Sequence, residues 1–504
     1  MKHSEMKQSR FHDELNKGGN MPESAAPKRN EPAAEPTDPK ILAAQEDPST
    51  LFAGRATLAS RIAQGKAARS KVPRAKLADC KIEDRDPIAL LDASNAGRVT
   101  ELIPIRYGRM VASPFAFYRG AAPLMAYDLS KLPHSDLIVQ LGGDAHLANF
   151  GLFASPERRV LFGPNDFDET LPGPFDWDVR RLATSFVIAA RERGLATRDQ
   201  RSVVRRLCET FRQQIAGFSR MDTLDVWYYQ FTAASMLAIA DSLEERQKEV
   251  AVIDKAKQQS SRSVTAHATE IVNGRLRIKD VPPLVYHIPL ESPHDHKQYD
   301  ALVRRFFADY RLTLPDDRRA LFDRYELVDV AIRVVGIGSV GTRCYEALFM
   351  ADGECPLFLQ LKEARPSVLE GYLPPSRFPN HGQRVVNGQR LLQSASDIFL
   401  GWSKMRHTGN DFYVRQLRDM KGAFDFTTFD AEDLGEYAVS CAHALAHSMA
   451  KAGDPALLSG YVGKSSAFDE AIEQFALAYA EQNEADWTVL KAAVKSGQVQ
   501  VIHE

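Results

Sequence analysis

Asp144, Asn149 and Asp166 are the residues whose types and spacing could do chemistry. The apolar run Leu137-Ile138-Val139 delivers the chain to Gly142-Gly143, and Asp144, His146 and Asn149 follow at once. Polar groups therefore sit at the end of an expected buried strand, where sites are commonly built. A turn at Ser155-Pro156-Glu157 and a second short strand over 159–162 lead to Asn165-Asp166-Phe167-Asp168, so two strands and a turn read as a hairpin with an acid at each end. Phosphoryl transfer uses such an inventory: one carboxylate takes the proton of the attacking hydroxyl, while a second carboxylate and an amide oxygen hold Mg²⁺. In these terms Asp144 is the expected base, and Asn149 and Asp166 are the expected metal ligands. Two acids near a turn are otherwise a solvated loop or a helix cap, but here three pieces match in order.

A base and a metal site need a phosphate cover, and the only glycine-rich candidate lies far downstream. Residues 332–341 form a strand running into Gly336-x-Gly338-Ser339-x-Gly341. Such glycines either open a helix in a dinucleotide site or join two antiparallel strands over phosphates, as in kinases. The following residues decide between them. Cys344, Tyr345 and Phe349 are poor helix material, and Asp352-Gly353 is a hairpin turn, so strand, turn, strand is expected. The next strand, 356–362, ends in Lys362, expected to hold the α- and β-phosphates while the amides around Gly336, Gly338, Ser339 and Gly341 cover them. An acidic partner for Lys362 is harder to find. Glu370 is the nearest, Glu363 points to the other face of the strand, and the helix expected over 383–394 offers no acid.

The rest of the chain supplies the frame. Its 504 residues, 44% hydrophobic and 26% charged, suit two or three core-bearing units of a globular protein. A net charge of −2 gives no sign of a nucleic-acid or membrane partner. No apolar run approaches the roughly 20 residues of a membrane span, and polar residues follow Met1, so the expected location is cytoplasmic. Five scattered cysteines give no paired spacing for zinc.

Residues 1–80 are rich in Pro, Ala, Glu, Lys and Ser and are expected to be a disordered arm with at most a short helix near Ser49 to Ala63, its basic run from Arg55 to Lys76 solvated. Residues 86–328 read as a lobe carrying the catalytic loop and helices, with a helix over 176–193, a capping box at Thr197 and Gln200, and further helix over 224–257 and 315–328. Phe115, Phe117 and Tyr118 are expected in the core rather than stacked on a base. Residues 329–422 read as a small β lobe, and 423–504 as helices completing the first lobe, with His443 and His447 on a helix surface.

Two resemblances follow from these stretches. Gly142-Gly143-Asp144-Ala145-His146-Leu147-Ala148-Asn149 with Asp166-Phe167-Asp168, and Gly173-Pro174-Phe175-Asp176-Trp177-Asp178 after them, resemble the catalytic segment of aminoglycoside and choline kinases. Gly142 departs from that pattern, standing where those enzymes carry a histidine. The runs GDAHLANFG, NDFDETLPGPFDWDVRRLA, VVGIGSVGTRCY and LFLQLKEARPSVLE look like the bacterial family catalogued as domain of unknown function 2252, over about 86–504. That likeness implies a bacterial cytosolic protein and no particular reaction.

The first likeness implies an α+β, protein-kinase-like fold of two lobes, with ATP and Mg as cofactors. Because Asp144, Asn149 and Asp166 precede Lys362 by nearly two hundred residues, the fold would be circularly permuted, its helical catalytic lobe first and its small antiparallel β lobe inserted after it. Only twelve positions separate Asp166 from Asp178, too few for the segment on which protein kinases dock polypeptides, so the expected acceptor is the hydroxyl of a small molecule. Three other readings stay open: a nucleotide-binding pseudokinase, should Lys362 lack an acid; a dinucleotide-dependent oxidoreductase, which requires a helix over 342–350; and an interaction scaffold without nucleotide. Oligomeric state is not legible.

Overall fold

The computed structural model describes residues 56–502 except 83–84, 240–242, 260, 283, 290–291, 335, 337–339 and 418–419. Four short strands organise the segment around Asp144. β1 (Ile138–Leu141) pairs antiparallel with β4 (Leu171–Pro174), and β2 (Phe150–Ala154) forms a hairpin with β3 (Val160–Pro164). Residues 142–149 link β1 to β2 and 165–170 link β3 to β4, so both loops emerge at the same end of the paired strands. The backbone joins them where the Asn165 amide donates to the Asn149 carbonyl at 2.8 Å.

Helices bury this unit. Phe175–Glu192 is buried on every side from Phe175 to Ala190, as a helix at the centre of a domain must be. Thr197–Phe218, Ala431–Ala452, Pro455–Val462 and Ala467–Lys495 share its core, with Leu182, Phe186, Phe211, Leu434 and Phe475 fully enclosed. Phe115, Phe117 and Tyr118 are core residues, as their composition suggested.

Downstream, β5 (Thr269–Val272) and β6 (Arg275–Ile278) form a hairpin on Asn273 and Gly274, both at positive φ. β7 (Val285–Tyr286), β8 (Glu326–Arg333), β9 (Cys344–Ala351), β10 (Cys355–Ala364), β11 (Gly401–Met405) and β12 (Asn410–Gln416) make an antiparallel sheet of order β11-β12-β10-β9-β8-β7. Asp352 (φ 51°) and Gly353 (φ 73°) turn β9 into β10. Alternation sorts the faces of β10: Leu357, Leu359 and Leu361 pack on the helices Pro293–Arg311 and Asp316–Phe322, while Ala364 joins a cluster with Val385 and Val386 of the helix His381–Leu392. Lys362 is therefore on the face opposite Leu361. The result is a mixed α+β structure, and none of its described helices is long and apolar enough to cross a membrane.

Residues 342–350 lie largely in β9, as expected from strand, turn, strand, and not in the helix that the dinucleotide alternative requires. Several other expectations need correction. The helix expected over 315–328 ends at Phe322, and the alternation of Leu327, Val330 and Ile332 makes Glu326–Arg333 a strand, so the sheet reaches back before residue 329. The helix expected over 224–257 is divided, among the described residues, into Thr223–Tyr228, Ala233–Leu237 and Leu243–Gln258. Thr197 is the first helical residue and caps nothing. His447 is buried, its Nε2 2.9 Å from the Val226 carbonyl, and His443 is half-buried and meets the Tyr229 hydroxyl at 2.7 Å, so both pack against neighbouring groups rather than stand free on the helix surface.

The arm expected to be disordered also needs revision, since 1–55 lie outside the described residues but Leu58–Ala68 is a helix packed on Pro455–Val462. Two glycines allow the crossing: a Cβ on Gly65 would lie 2.0 Å from the Leu457 carbonyl oxygen, and one on Gly460 2.2 Å from that of Ile62. Arg69 and Arg74 donate to the carbonyls of Tyr461 and Val462 at 2.8 and 2.7 Å, and Arg61 pairs with Asp454 at 2.7 Å. Arg69 and Arg74 are thus spent on the orphan carbonyls of that helix's C-terminal end, where cations are favoured, and Arg61 on its N-cap acid, while Lys71 and Lys76 stay exposed.

Gly65→Ala is expected to lower unfolding free energy by about 1–3 kcal/mol through forced separation of the two helices. Chemical denaturation and faster hydrogen exchange over 58–78 would register it.

Candidate functional site

Asp144 is held by groups from three helices and the opposing loop. The amides of Gly142 and Gly143 donate to the two oxygens of Asp178 at 2.7 and 3.1 Å. Burial pushes the Asp178 carboxyl up to about 6 even against those donors. Gly143 sits at φ 83°, and a Cβ there would lie 2.2 Å from the Glu169 carbonyl oxygen, so position 143 has to be glycine. Further along, Ser185 accepts from the Leu147 amide at 3.0 Å, and the Tyr437 hydroxyl reaches the Leu147 and Phe150 carbonyls at 3.0 and 3.1 Å. Asn149 donates its side-chain amide to the Asp144 carbonyl at 2.8 Å, which leaves its amide oxygen as the atom for a ligand.

The Asp144 carboxylate is paired on one oxygen only: Arg181 Nε donates to Oδ1 at 2.6 Å, while Oδ2 is 3.7 Å from His146 Nε2. Burial raises the pKa of Asp144, and the charges of Arg181 and Arg119 pull against that rise. Arg181 is itself fixed by Tyr118, whose ring lies 4.4 Å away, whose carbonyl accepts at 3.1 Å and whose hydroxyl donates to the Arg181 carbonyl at 2.8 Å.

Lys362 crosses from the sheet to the other loop. Its Nζ lies 2.7 Å from Asp168 Oδ2 and 3.4 Å from Asp166 Oδ1, and the Tyr413 hydroxyl donates to Asp168 Oδ1 at 2.6 Å. Burial alone would lower the lysine and raise both acids. The two carboxylates hold Lys362 well above its ordinary range, and Lys362 with Tyr413 holds Asp168 down at about 2. Asp166 is pushed up by burial and by the Asp168 charge.

Glu370, the expected partner of Lys362, is elsewhere: it accepts from the Ser367 amide at 3.0 Å in a capping box and lies 3.6 Å from Arg384 Nε. Glu363 accepts from the Arg343 amide and Asn410, on the far face as expected. Arg384, from His381–Leu392, donates to the carbonyls of Thr170, Asp168 and Arg365 at 2.7, 2.8 and 2.8 Å. Phe167 is buried among Val385, Val386, Leu400 and Tyr413.

Asp144, Asn149, Asp166, Lys362 and Gly336 line one cavity of about 280 Å³, together with Asp168, Glu169, Arg98, Arg106, Arg119 and Arg415. Gly341, at φ 87°, packs against Arg98 outside that lining. Gly338 and Ser339 lie outside the described residues. Among the described residues no group of three His, Cys, Asp or Glu side chains is placed to hold a metal ion. A cation at Asn149 and Asp166 would therefore complete its shell from water and ligand phosphates, the ordinary habit of Mg²⁺. Sequence reasoning missed Asp168, Tyr413, Arg181 and the arginine wall. The second acid of Asp166-Phe167-Asp168 was the available signal for the first of these.

Tyr437→Phe takes the hydroxyl from the buried Phe150 carbonyl, while the Leu147 carbonyl keeps the Phe150 amide, and is expected to cost about 1–3 kcal/mol of stability, measured by chemical denaturation.

No curated protein and no solved structure matches the chain. Residues 98–493 match the family model described as an uncharacterised protein conserved in bacteria, DUF2252. The chain therefore belongs to the bacterial DUF2252 family.

Proposed function

We propose that this protein is a Mg- and ATP-dependent phosphotransferase acting on a small-molecule hydroxyl, built as a kinase-like pair of lobes in permuted order. One observation carries the reading: a lysine from the sheet and two acids with an amide from the hairpin loops line the same cavity beside Gly336. The order within the sheet supports it. Counting β8, the strand before the glycine-rich connection, as the first, Lys362 is on the third strand, β10, and a helix follows, which is the kinase arrangement of phosphate cover, lysine and pairing helix. In kinases that helix brings the lysine's glutamate. Here Asp168 takes that part and the helix supplies Arg384 instead, so Lys362 does have the acid whose absence would favour a pseudokinase.

The donor set fits the cofactors. Asp166 is crowded by Asp168 and Asp144, a state that a cation would relieve, and Asn149 turns an amide oxygen to the same cavity. Bound there, Mg²⁺ would neutralise charge on the β- and γ-phosphates. Lys362 would hold the α- and β-phosphates. Asp144 would take the acceptor's hydroxyl proton on Oδ2, the oxygen that Arg181 leaves open. The acceptor oxygen then bonds to the γ-phosphorus as the bond to the β–γ bridging oxygen breaks, leaving ADP.

A thermal-shift titration with Mg·ATP tests this: at about 100 times the dissociation constant the wild type gains roughly 2.7 kcal/mol. Lys362→Ala and Asp166→Ala are expected to lose most of that gain relative to their own unliganded baselines, and Asp144→Asn to bind nucleotide but lose slow ATP turnover. Unchanged turnover in Asp144→Asn would remove Asp144 from the role of base.

The acid limb of the rate profile gives a second test. A base must be ionised, and burial raises Asp144, so activity falls as pH drops through a value above the ordinary ~4. Removing the opposing charge in Arg181→Gln raises that pKa further and moves the limb to higher pH; a limb that stays put or moves down would contradict the assignment.

A further inference from the structure

We propose that the acceptor is itself an anion: a small hydroxyl compound carrying a phosphate or carboxylate group, gripped by Arg98, Arg106 and Arg119. The inference rests on the phosphotransferase reading and names its substrate class. All three arginines line the Asp144 cavity and come from the wall that precedes the hairpin. None makes an ion pair among the described residues. Arg98 donates to the Val340 carbonyl at 2.6 Å, and Arg106 to Asn95 Oδ1 and the Gly120 carbonyl at 2.7 and 2.9 Å, all neutral acceptors. Arg119 Nε is buried with no hydrogen-bond partner among the described residues, as is Arg106 Nε.

The other two cations of the cavity answer to Asp166 and Asp168: Lys362 pairs with both, and Arg415, which donates to the Asn165 carbonyl and Gln360, feels the charges of the same two acids. Burial works most strongly against the charges of Arg98 and Arg106, the neighbouring arginines add to it, and Glu169, Glu363 and Asp92 offset it only in part. Guanidinium does not give up its proton, so this charge is relieved by a counter-ion, and the planar fork suits an oxyanion. Arg119 is close enough to Asp144 and Asp166 for their charges to act on it, so an anion held by the trio lies beside the base. No described residue of the 418–422 connector lines the cavity, and its apolar surface is little more than Ala122, Pro123 and Val368. This is an acceptor's end rather than a purine's.

Calorimetric titration of the full chain, saturated with Mg·AMPPNP, tests the assignment with inorganic phosphate, glycerol 3-phosphate, glycerate, glycerol and choline. Glycerol 3-phosphate or glycerate is expected to bind roughly tenfold or more tightly than glycerol, and choline not at all; the better of the two anions identifies the group recognised. Arg119→Gln is expected to weaken that anion by roughly tenfold while nucleotide affinity changes by less than about threefold. Arg98→Gln serves the same comparison should the first variant fold poorly.

Glycerol or choline binding as tightly as the anions, no anion binding at all, or loss of nucleotide and anion together in the variants would overturn the proposal, the last by giving the arginines to the triphosphate. Failure of Mg·AMPPNP to bind the wild type would instead sink the phosphotransferase reading. The anion titration without nucleotide would still report whether the trio takes an oxyanion.

Discussion

The Lys362 ammonium between Asp166 and Asp168 is the interaction on which the rest depends. Without it, two carboxylates two residues apart would share the cavity wall uncompensated, and Asp166 is already pushed up by burial and by its neighbour's charge. Removing the lysine costs less than the roughly 3–5 kcal/mol of a fully buried pair, because both acids are partly exposed to the cavity. The same contact joins β10 to the loop after β3. Around it lie Phe167 in the cluster under the sheet, Arg384 on three loop carbonyls and Tyr413 on Asp168, so sheet and hairpin are fastened at one place. The cavity opens beside that fastening.

The other half of the cavity is rigid for a different reason. Asp144 sits on a loop, but its neighbours are tied to helices: Gly142 and Gly143 to Asp178, Leu147 to Ser185 and Tyr437. Arg181, one helical turn beyond Asp178, fixes the carboxylate itself. Groups locked in this way lose little entropy on meeting a ligand, which is what positioning demands of a phosphoryl-transfer site. A base on this loop and a lysine on the sheet would then act across a gap whose width is set by packed elements rather than by mobile segments.

How much of this could be read from the chain depended on how local each feature is. The hairpin between Asn149 and Asp166, the Asp352-Gly353 turn and the placing of Lys362 on a strand follow from alternation and turn chemistry, which act over a few residues. The partner of Lys362 did not, because Asp168 precedes it by almost two hundred residues and only the folded chain brings them together. Glu370 was nearer in sequence and is spent on a cap. The segment before residue 80 was misjudged for a related reason: composition counts Arg61, Arg69 and Arg74 as solvated, and the helix that uses them, at its N-cap Asp454 and at its last carbonyls, lies near residue 460. Arg106 and Arg119 were lost among aromatic residues that do pack in the core.

Membership of the DUF2252 family gives the chain relatives but no reaction, so the chemistry has to be argued from the cavity. What distinguishes that cavity is charge of both signs: acids crowded by one another, and three arginines that make no ion pair among the described residues. A metal with a polyphosphate would answer the first and an anionic acceptor the second. The most direct measurement of the central claim is the coupling between metal and nucleotide, read by titrating Mn²⁺ into the full chain by electron paramagnetic resonance with and without AMPPNP. The account predicts that nucleotide tightens Mn²⁺ by roughly tenfold or more and that Asp166→Asn removes the gain. Equal Mn²⁺ affinity in both conditions, or a gain that survives in Asp166→Asn, would contradict it.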